Sequence, residues 1–310
     1  MGLKCFLRLF IVLALCSACA SGPAPERSAR PIRQSLRYLH KGVILYTRGC
    51  FPEALARFSE AHERYTAADH LEGVAASLNS IANVYFQLND LESALLVFDE
   101  AIEVFETLDD RRGLIRAVTN KGAALIAAEK PDEGEAVLDK ADALAAGTDV
   151  LSALRLKNRA ILEMDRQHFT EAKQILEQAI GRLGKNALEQ AASVHYTMGR
   201  ILQAQQNPAG AIAHFNTALD IDRSRGAYMG IAQDLAALGS SYAAMGQYDR
   251  AVSHYRRSLK VFALLGHNPA VRDIRRSMED AAAQTGADIS STIHWVEQWR
   301  KGNKEANLCR

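Results

Sequence analysis

The stretch LESALLVFDEA, residues 91–101, decides the reading of this chain, because it returns five more times. FPEALARFSEA at 51–61, PDEGEAVLDKA at 131–141, FTEAKQILEQA at 169–179, PAGAIAHFNTA at 208–218 and YDRAVSHYRRS at 248–258 share its pattern. The fourth residue of each is small: Ala54, Ala94, Gly134, Ala172, Ala211 and Ala251, at steps of 40, 40, 38, 39 and 40 residues. Four positions later stands a large apolar residue, Phe58, Phe98, Leu138, Leu176, Phe215 or Tyr255. Small and large residues one helical turn apart let a neighbouring helix approach closely and fill the space beside it. From Leu91 the apolar set Ala94, Leu95, Phe98, Ala101, Ile102, Phe105 and Leu108 continues as one stripe at helical spacing.

Each of these helices is preceded by another. SIANVYFQLND at 80–90 and ALGSSYAAMGQ at 236–246 carry a small residue, Ala82 or Gly239, and an aromatic three later, Tyr85 or Tyr242. Gly42, Gly122, Ala160 and Gly199 hold the same place in the other units. Pro52, Pro131 and Pro208 fall at the start of second helices, where the missing N–H has no partner to lose. Gly49 and Gly246 follow first helices, where a left-handed residue ends a helix. This pattern resembles the tetratricopeptide repeat family over residues 35–265, with units nearer 40 residues than the family's 34 or so. The resemblance implies an all-α solenoid of six helix–turn–helix repeats, since one unit alone leaves its stripe uncovered. Residues 266–310 then supply capping helices, with 268–284 amphipathic and Trp295 and Trp299 on one face of the last helix, there to cover the final repeat. Two departures stand out: Gly134 replaces the usual Ala inside a helix, and Glu163 replaces an aromatic, a carboxylate expected to pair with Arg159.

Composition excludes several classes. The 310 residues hold 37 basic and 36 acidic side chains, a net charge of +1. That lacks the basic excess of a nucleic-acid surface. Hydrophobic residues make up 48% and charged ones 24%, values of a folded chain. No HExxH or phosphate-binding loop occurs, and no His pairs with Cys at zinc spacing, so no catalytic residue, metal or cofactor is expected. Asp220 and Asp222 read as the polar end of a repeat helix.

The N-terminus reads as an address. Lys4 and Arg8 precede an apolar run through Leu15 that is too short to span a bilayer, the pattern of a signal peptide over residues 1–18. Ser17-Ala18-Cys19 resembles the tail of a bacterial lipobox, although Cys16 stands where Leu is usual. That resemblance implies lipid on Cys19 and, with Ala20 next, an outer-membrane protein facing the periplasm. Removing residues 1–18 takes the net charge from +1 to −1. Residues 19–34, with three of the seven prolines, are expected to form a flexible tether. Cys50 and Cys309 lie near opposite ends of the repeat array, so an extended solenoid gives no expectation of a bridge between them.

In the repeat family, first helices line a concave groove. Registering each unit on its small residue puts Asn79, Asn83, Arg116, Asn120, Lys157, Asn158, Tyr196 and Arg200 there. Asn offers donor and acceptor to a peptide backbone, and Arg and Lys suit carboxylates. The expected function is a non-enzymatic protein- or peptide-binding scaffold of the envelope, with membrane attachment by lipid and no nucleic acid. An assembly lipoprotein of pilotin type for a pilus or secretion machine, or an accessory of an envelope enzyme, is the alternative.

Overall fold

The computed structural model describes residues 26–148, 151–184, 186–301 and 308–309. Cys19 and the signal-like segment 1–18 lie outside the described residues. Fourteen helices follow one another, with no strand among the described residues. They are α1 (Glu26–Arg48), α2 (Phe51–Ala67), α3 (Leu71–Gln87), α4 (Leu91–Thr107), α5 (Arg111–Ala127), α6 (Pro131–Leu144), α7 (Ser152–Asp165), α8 (Phe169–Gly181), α9 (Leu188–Ala204), α10 (Pro208–Arg225), α11 (Tyr228–Ala244), α12 (Tyr248–Leu264), α13 (Asn268–Thr285) and α14 (Ser290–Arg300). Consecutive helices pack as antiparallel hairpins, six from α1 to α12, with α13 and α14 packed on α12. This is the solenoid that the repeat pattern predicts.

The turns explain the tight stacking. A left-handed residue closes one helix and the next residue caps the following one. Asn89 (φ 60°), Asp109 (φ 53°) and Gln206 (φ 59°) are the closing residues at three such turns. The side chains of Asp90, Asp110 and Asn207 then accept from the backbone N–H of Ser93, Gly113 and Gly210, satisfying donors that the first helical turn leaves free. Gly49 and Gly246 take φ 86° and 72°, and Pro52, Pro131 and Pro208 stand in first helical turns.

Within each hairpin the small residue of the first helix receives the large residue of the second. A Cβ added at Gly42 would fall 2.4 Å from the Phe58 ring, one at Gly199 2.5 Å from Phe215, and one at Gly239 2.6 Å from Tyr255. Gly134 belongs to the same scheme. Its Cβ would lie 2.8 Å from Ile126 and 3.2 Å from the Gly122 carbonyl oxygen, so α5 and α6 meet at a glycine–glycine crossing. The helix-propensity loss of about 1 kcal/mol there permits closer contact.

Three features depart from the sequence reading. Helix α1 begins at Glu26 and runs through residues assigned to a tether. Ile32 packs against the cluster of Tyr65, Phe105 and Val118, and Ser35 is fully buried, so an apolar face outweighs the proline content of that stretch. Glu163 pairs with Arg166 at 3.6 Å and His168 at 2.8 Å, not with Arg159, which Asp139 and Asp142 hold.

The third departure is the largest. The solenoid is not extended: α1 packs against α11, and the chain closes on itself. Phe51 and Phe58 share one hydrophobic cluster with Met229, Val252, Tyr255, Met278 and Val296. Gly49 makes the junction possible, since a Cβ there would stand 2.6 Å from Met229 Cβ. Cys50 and Cys309 meet across this closure and form a disulfide, with Cα atoms 5.3 Å apart. The superhelical curvature, which no single repeat reveals, brings together ends separated by 259 positions.

The bridge closes most of the chain into one loop, the case where cross-linking restricts the unfolded state most. Cys309→Ser should lower the free energy of unfolding by about 2–4 kcal/mol in denaturant titrations. Small-angle scattering should show a larger radius of gyration under reducing conditions. An unchanged midpoint and radius would mean that the apolar junction alone keeps the ring shut.

Candidate functional site

Closure turns the concave face into a central cavity lined mainly by first helices. Its larger compartment, about 430 Å³, takes residues from α1, α3, α5, α7 and α9. A smaller one, about 180 Å³, lies between α1, α9, α10 and α11. Tyr46, Thr47, Gln87, Glu189 and Ser193 line both, so the two are continuous. The larger volume is in the range of ligand sites, about 300–1,000 Å³.

The larger compartment is basic and amide-rich. Asn83, Arg116, Asn120, Lys157 and Asn158, five of the eight residues registered on the groove, line it together. Asn158 is 1% exposed; its amide donates to the Thr119 carbonyl at 3.0 Å, while its Oδ1 has no hydrogen-bond partner. Such an acceptor favours an incoming N–H. Burial in the wall brings the Lys157 ammonium down to about 8, with Glu189 opposing. Lys157 is therefore mostly charged at neutral pH and loses its charge just above it.

The other three residues fall elsewhere. Asn79 is buried one turn before Asn83, whose Nδ2 donates to the Asn79 carbonyl at 2.7 Å, and it does not line either compartment. Arg200 lies in a third, shallower hollow with Gln203, Ser240 and Ile274, and Tyr196 joins that hollow to the smaller compartment. Arg200 thus does not share a surface with Arg116 and Lys157. Trp299 packs against the C-terminal cluster as expected of a cover, whereas Trp295 is 51% exposed, its ring stacked on Trp299 at 6.1 Å.

The smaller compartment was not legible in the sequence, where the groove positions contain no acid. Glu189, Asp222 and Asp234 line it, with one cation, Arg225, which binds Asp222 at 3.0 Å and Glu189 at 3.5 Å. Asp222, read as the polar end of a helix, is buried. Burial raises its carboxyl above the usual range, with Glu189 adding and Arg225 opposing. Asp234 is 1% exposed, and its Oδ2 has no hydrogen-bond partner. Burial, then the charge of Asp222, pushes its carboxyl up to about 8, against the pull of Arg223. Burial likewise raises the phenols of Tyr46 and Tyr196 on the facing walls. The missed signal was spatial: Asp222 ends a second helix, and the repeat register considers only first helices.

Glu163, His168 and Glu171 bring three ligand atoms within 4.8 Å of one another at the α7–α8 turn. They do not line the cavity, and Arg166 already pairs with Glu163.

Comparison with known proteins agrees with the fold. A family model for the tetratricopeptide repeat matches residues 34–107 and 190–263, so the chain carries repeats of this type at both ends of the array. The solenoid is similar to the Rap conjugation gene regulator of the plasmid pLS20 in complex with the Phr* peptide: TM-score 0.59, 12% identity, covering 99% of this chain and 86% of that one. It is also similar to a Rap protein complexed with competence and sporulation factor: TM-score 0.57, 14% identity, covering 80% of this chain and 75% of that one. Comparison with curated proteins gives no sequence match.

The Asp234 carboxyl has a testable consequence for stability. Its folded pKa of about 8 lies above the usual carboxylate value. The neutral form favours the fold, so its contribution is intact below about pH 4 and is lost as pH rises through about 8. Asp234→Asn keeps the shape and removes the ionisation. The variant should melt higher than the wild type, with the gap wider at pH 8 than at pH 5. An equal gap at both values would place Asp234 in solvent.

Proposed function

We propose that this chain is a non-enzymatic peptide-binding scaffold whose ligand lies inside the closed repeat ring. The observation that carries this reading is the 430 Å³ compartment, which combines Arg116 and Lys157 with the unpartnered acceptor of Asn158. Carboxylates meet the two cations, and backbone N–H groups meet Asn158, Asn83 and Asn120. The two Rap structures were both obtained with a bound factor, one of them a peptide, which supports the same use of a similar fold here.

The cations set capture rate and selectivity. The double reversal Arg116→Glu with Lys157→Glu should weaken binding of acidic pentapeptides at least tenfold in fluorescence anisotropy, whereas Arg200→Glu should change it less than threefold. Wild-type affinity should fall with salt, since screening acts over about 8 Å at 0.15 M. Equal affinities for the double reversal and the wild type would end the groove reading.

We place the scaffold in the bacterial envelope, held by lipid on Cys19. The apolar run before Cys19 supports this, and so does the Cys50–Cys309 bridge, because disulfides persist in oxidising compartments. Among the described residues no helix is long and apolar enough to cross a membrane. Cys19→Ala should move the protein from the membrane fraction to the soluble periplasmic fraction. A variant that stays membrane-bound would refute the anchor.

A further inference from the structure

The acidic compartment contains a buried carboxyl oxygen without a partner. Asp222 comes from the end of α10 and Asp234 from the middle of α11, and both are buried in one wall. A buried oxygen without a partner is unfavourable, and Asp234 Oδ2 is such an oxygen. The cations around the compartment pair with groups other than Asp234. Arg225 reaches Asp222 and Glu189, and Arg223 hydrogen-bonds Asp220 at 3.2 Å. Gly230 vacates the space that Asp222 enters, since a Cβ there would overlap Asp222 Oδ2. Phe51, Tyr46 and Tyr196 supply the aromatic part of the lining. Aromatic faces beside carboxylates attract cations.

We infer that the 180 Å³ compartment is a cation subsite, which takes the ammonium or guanidinium group of a peptide whose carboxylate lies against Arg116 and Lys157. This rests on the peptide-binding reading above and gives the bound peptide a direction. An ammonium carries three N–H donors and a guanidinium five, enough to supply Asp234 Oδ2 with its missing partner while keeping contact with Glu189. The two compartments share Tyr46, Gln87 and Glu189, so one extended ligand reaches both. A ligand of either charge alone leaves one compartment unmatched, which makes a dipolar peptide the preferred class.

The test uses the full chain with its disulfide intact and a mixture of random pentapeptides, with bound species identified by mass spectrometry. The mixture is prepared in four forms: unmodified, N-acetylated, lacking Lys and Arg, and both N-acetylated and lacking Lys and Arg. Wild type should retain peptides from the first three forms and lose at least tenfold of the last. Comparison of the second and third forms tells whether the terminal amine or a side chain supplies the cation. Asp234→Asn should erase this discrimination while melting no lower than wild type, so lost selection cannot be ascribed to unfolding. Arg275→Gln, whose partners Glu279 and Glu297 lie outside the cavity, serves as the matched control and should select as wild type does. Equal retention of all four forms, or unchanged selection by Asp234→Asn, would overturn the cation subsite and leave the peptide reading standing if Arg116→Glu with Lys157→Glu still reduces capture. No retention of any form would overturn both.

Discussion

The contact on which this architecture depends is the seat that the first helix of each hairpin offers to the second. Phe58 lies on Gly42, Leu138 on Gly122, Phe215 on Gly199 and Tyr255 on Gly239. Ala82 with Phe98 and Ala160 with Leu176 repeat the arrangement with one methyl group more. Each seat fixes how closely its two helices pack, and hence how far the next hairpin is rotated. Small rotations of one sense accumulate along a solenoid into curvature. Here they accumulate until α1 reaches α11, so a local packing rule, applied six times, determines whether the concave face is an open trough or an enclosed cavity.

Enclosure changes the electrostatics of that face. In an open groove Lys157 would be a solvated charge with weak, salt-screened effects. Inside the ring, solvent is scarce enough to bring Lys157 down to about 8 and to push Asp234 up to about 8. The two compartments therefore hold opposite charge preferences and meet at Tyr46, Gln87 and Glu189, which line both. The polarity of the cavity follows from which helix ends meet at the closure. Asp222 stands three residues before Arg225 on the last turn of α10, and that turn faces the N-terminal helices only because the ring is shut.

The sequence reading followed the short-range part of this logic and stopped where it became long-range. Helix order, the prolines of the second helices and the left-handed glycines at 49 and 246 are properties of neighbouring residues, and the periodicity displays them. So is the first-helix register that brings Asn83, Arg116, Asn120, Lys157 and Asn158 into one compartment. The bridge between Cys50 and Cys309 is a property of total curvature, a sum over hairpins that no single repeat reveals. Asn79, one turn before Asn83, is buried and lines neither compartment. The acids escaped because Asp222 belongs to a second helix and Asp234 is a buried position on α11, where a repeat pattern expects an apolar side chain.

The positions where the chain departs from its own repeat are informative for the same reason. The tetratricopeptide match lapses between residues 108 and 189, where α6, α7 and α8 shorten to 14, 14 and 13 residues. Arg116, Asn120, Lys157, Asn158 and Glu189, which include both cations of the larger compartment, all come from that stretch. The matched ends meet a different demand: Tyr46, Phe51 and Met229 carry the junction. Local irregularity in a repeat protein tends to sit where function competes with packing. The larger compartment is consistent with that, since its cations come from the irregular stretch, whereas the smaller one draws Asp222, Arg225 and Asp234 from the regular hairpins that close the ring.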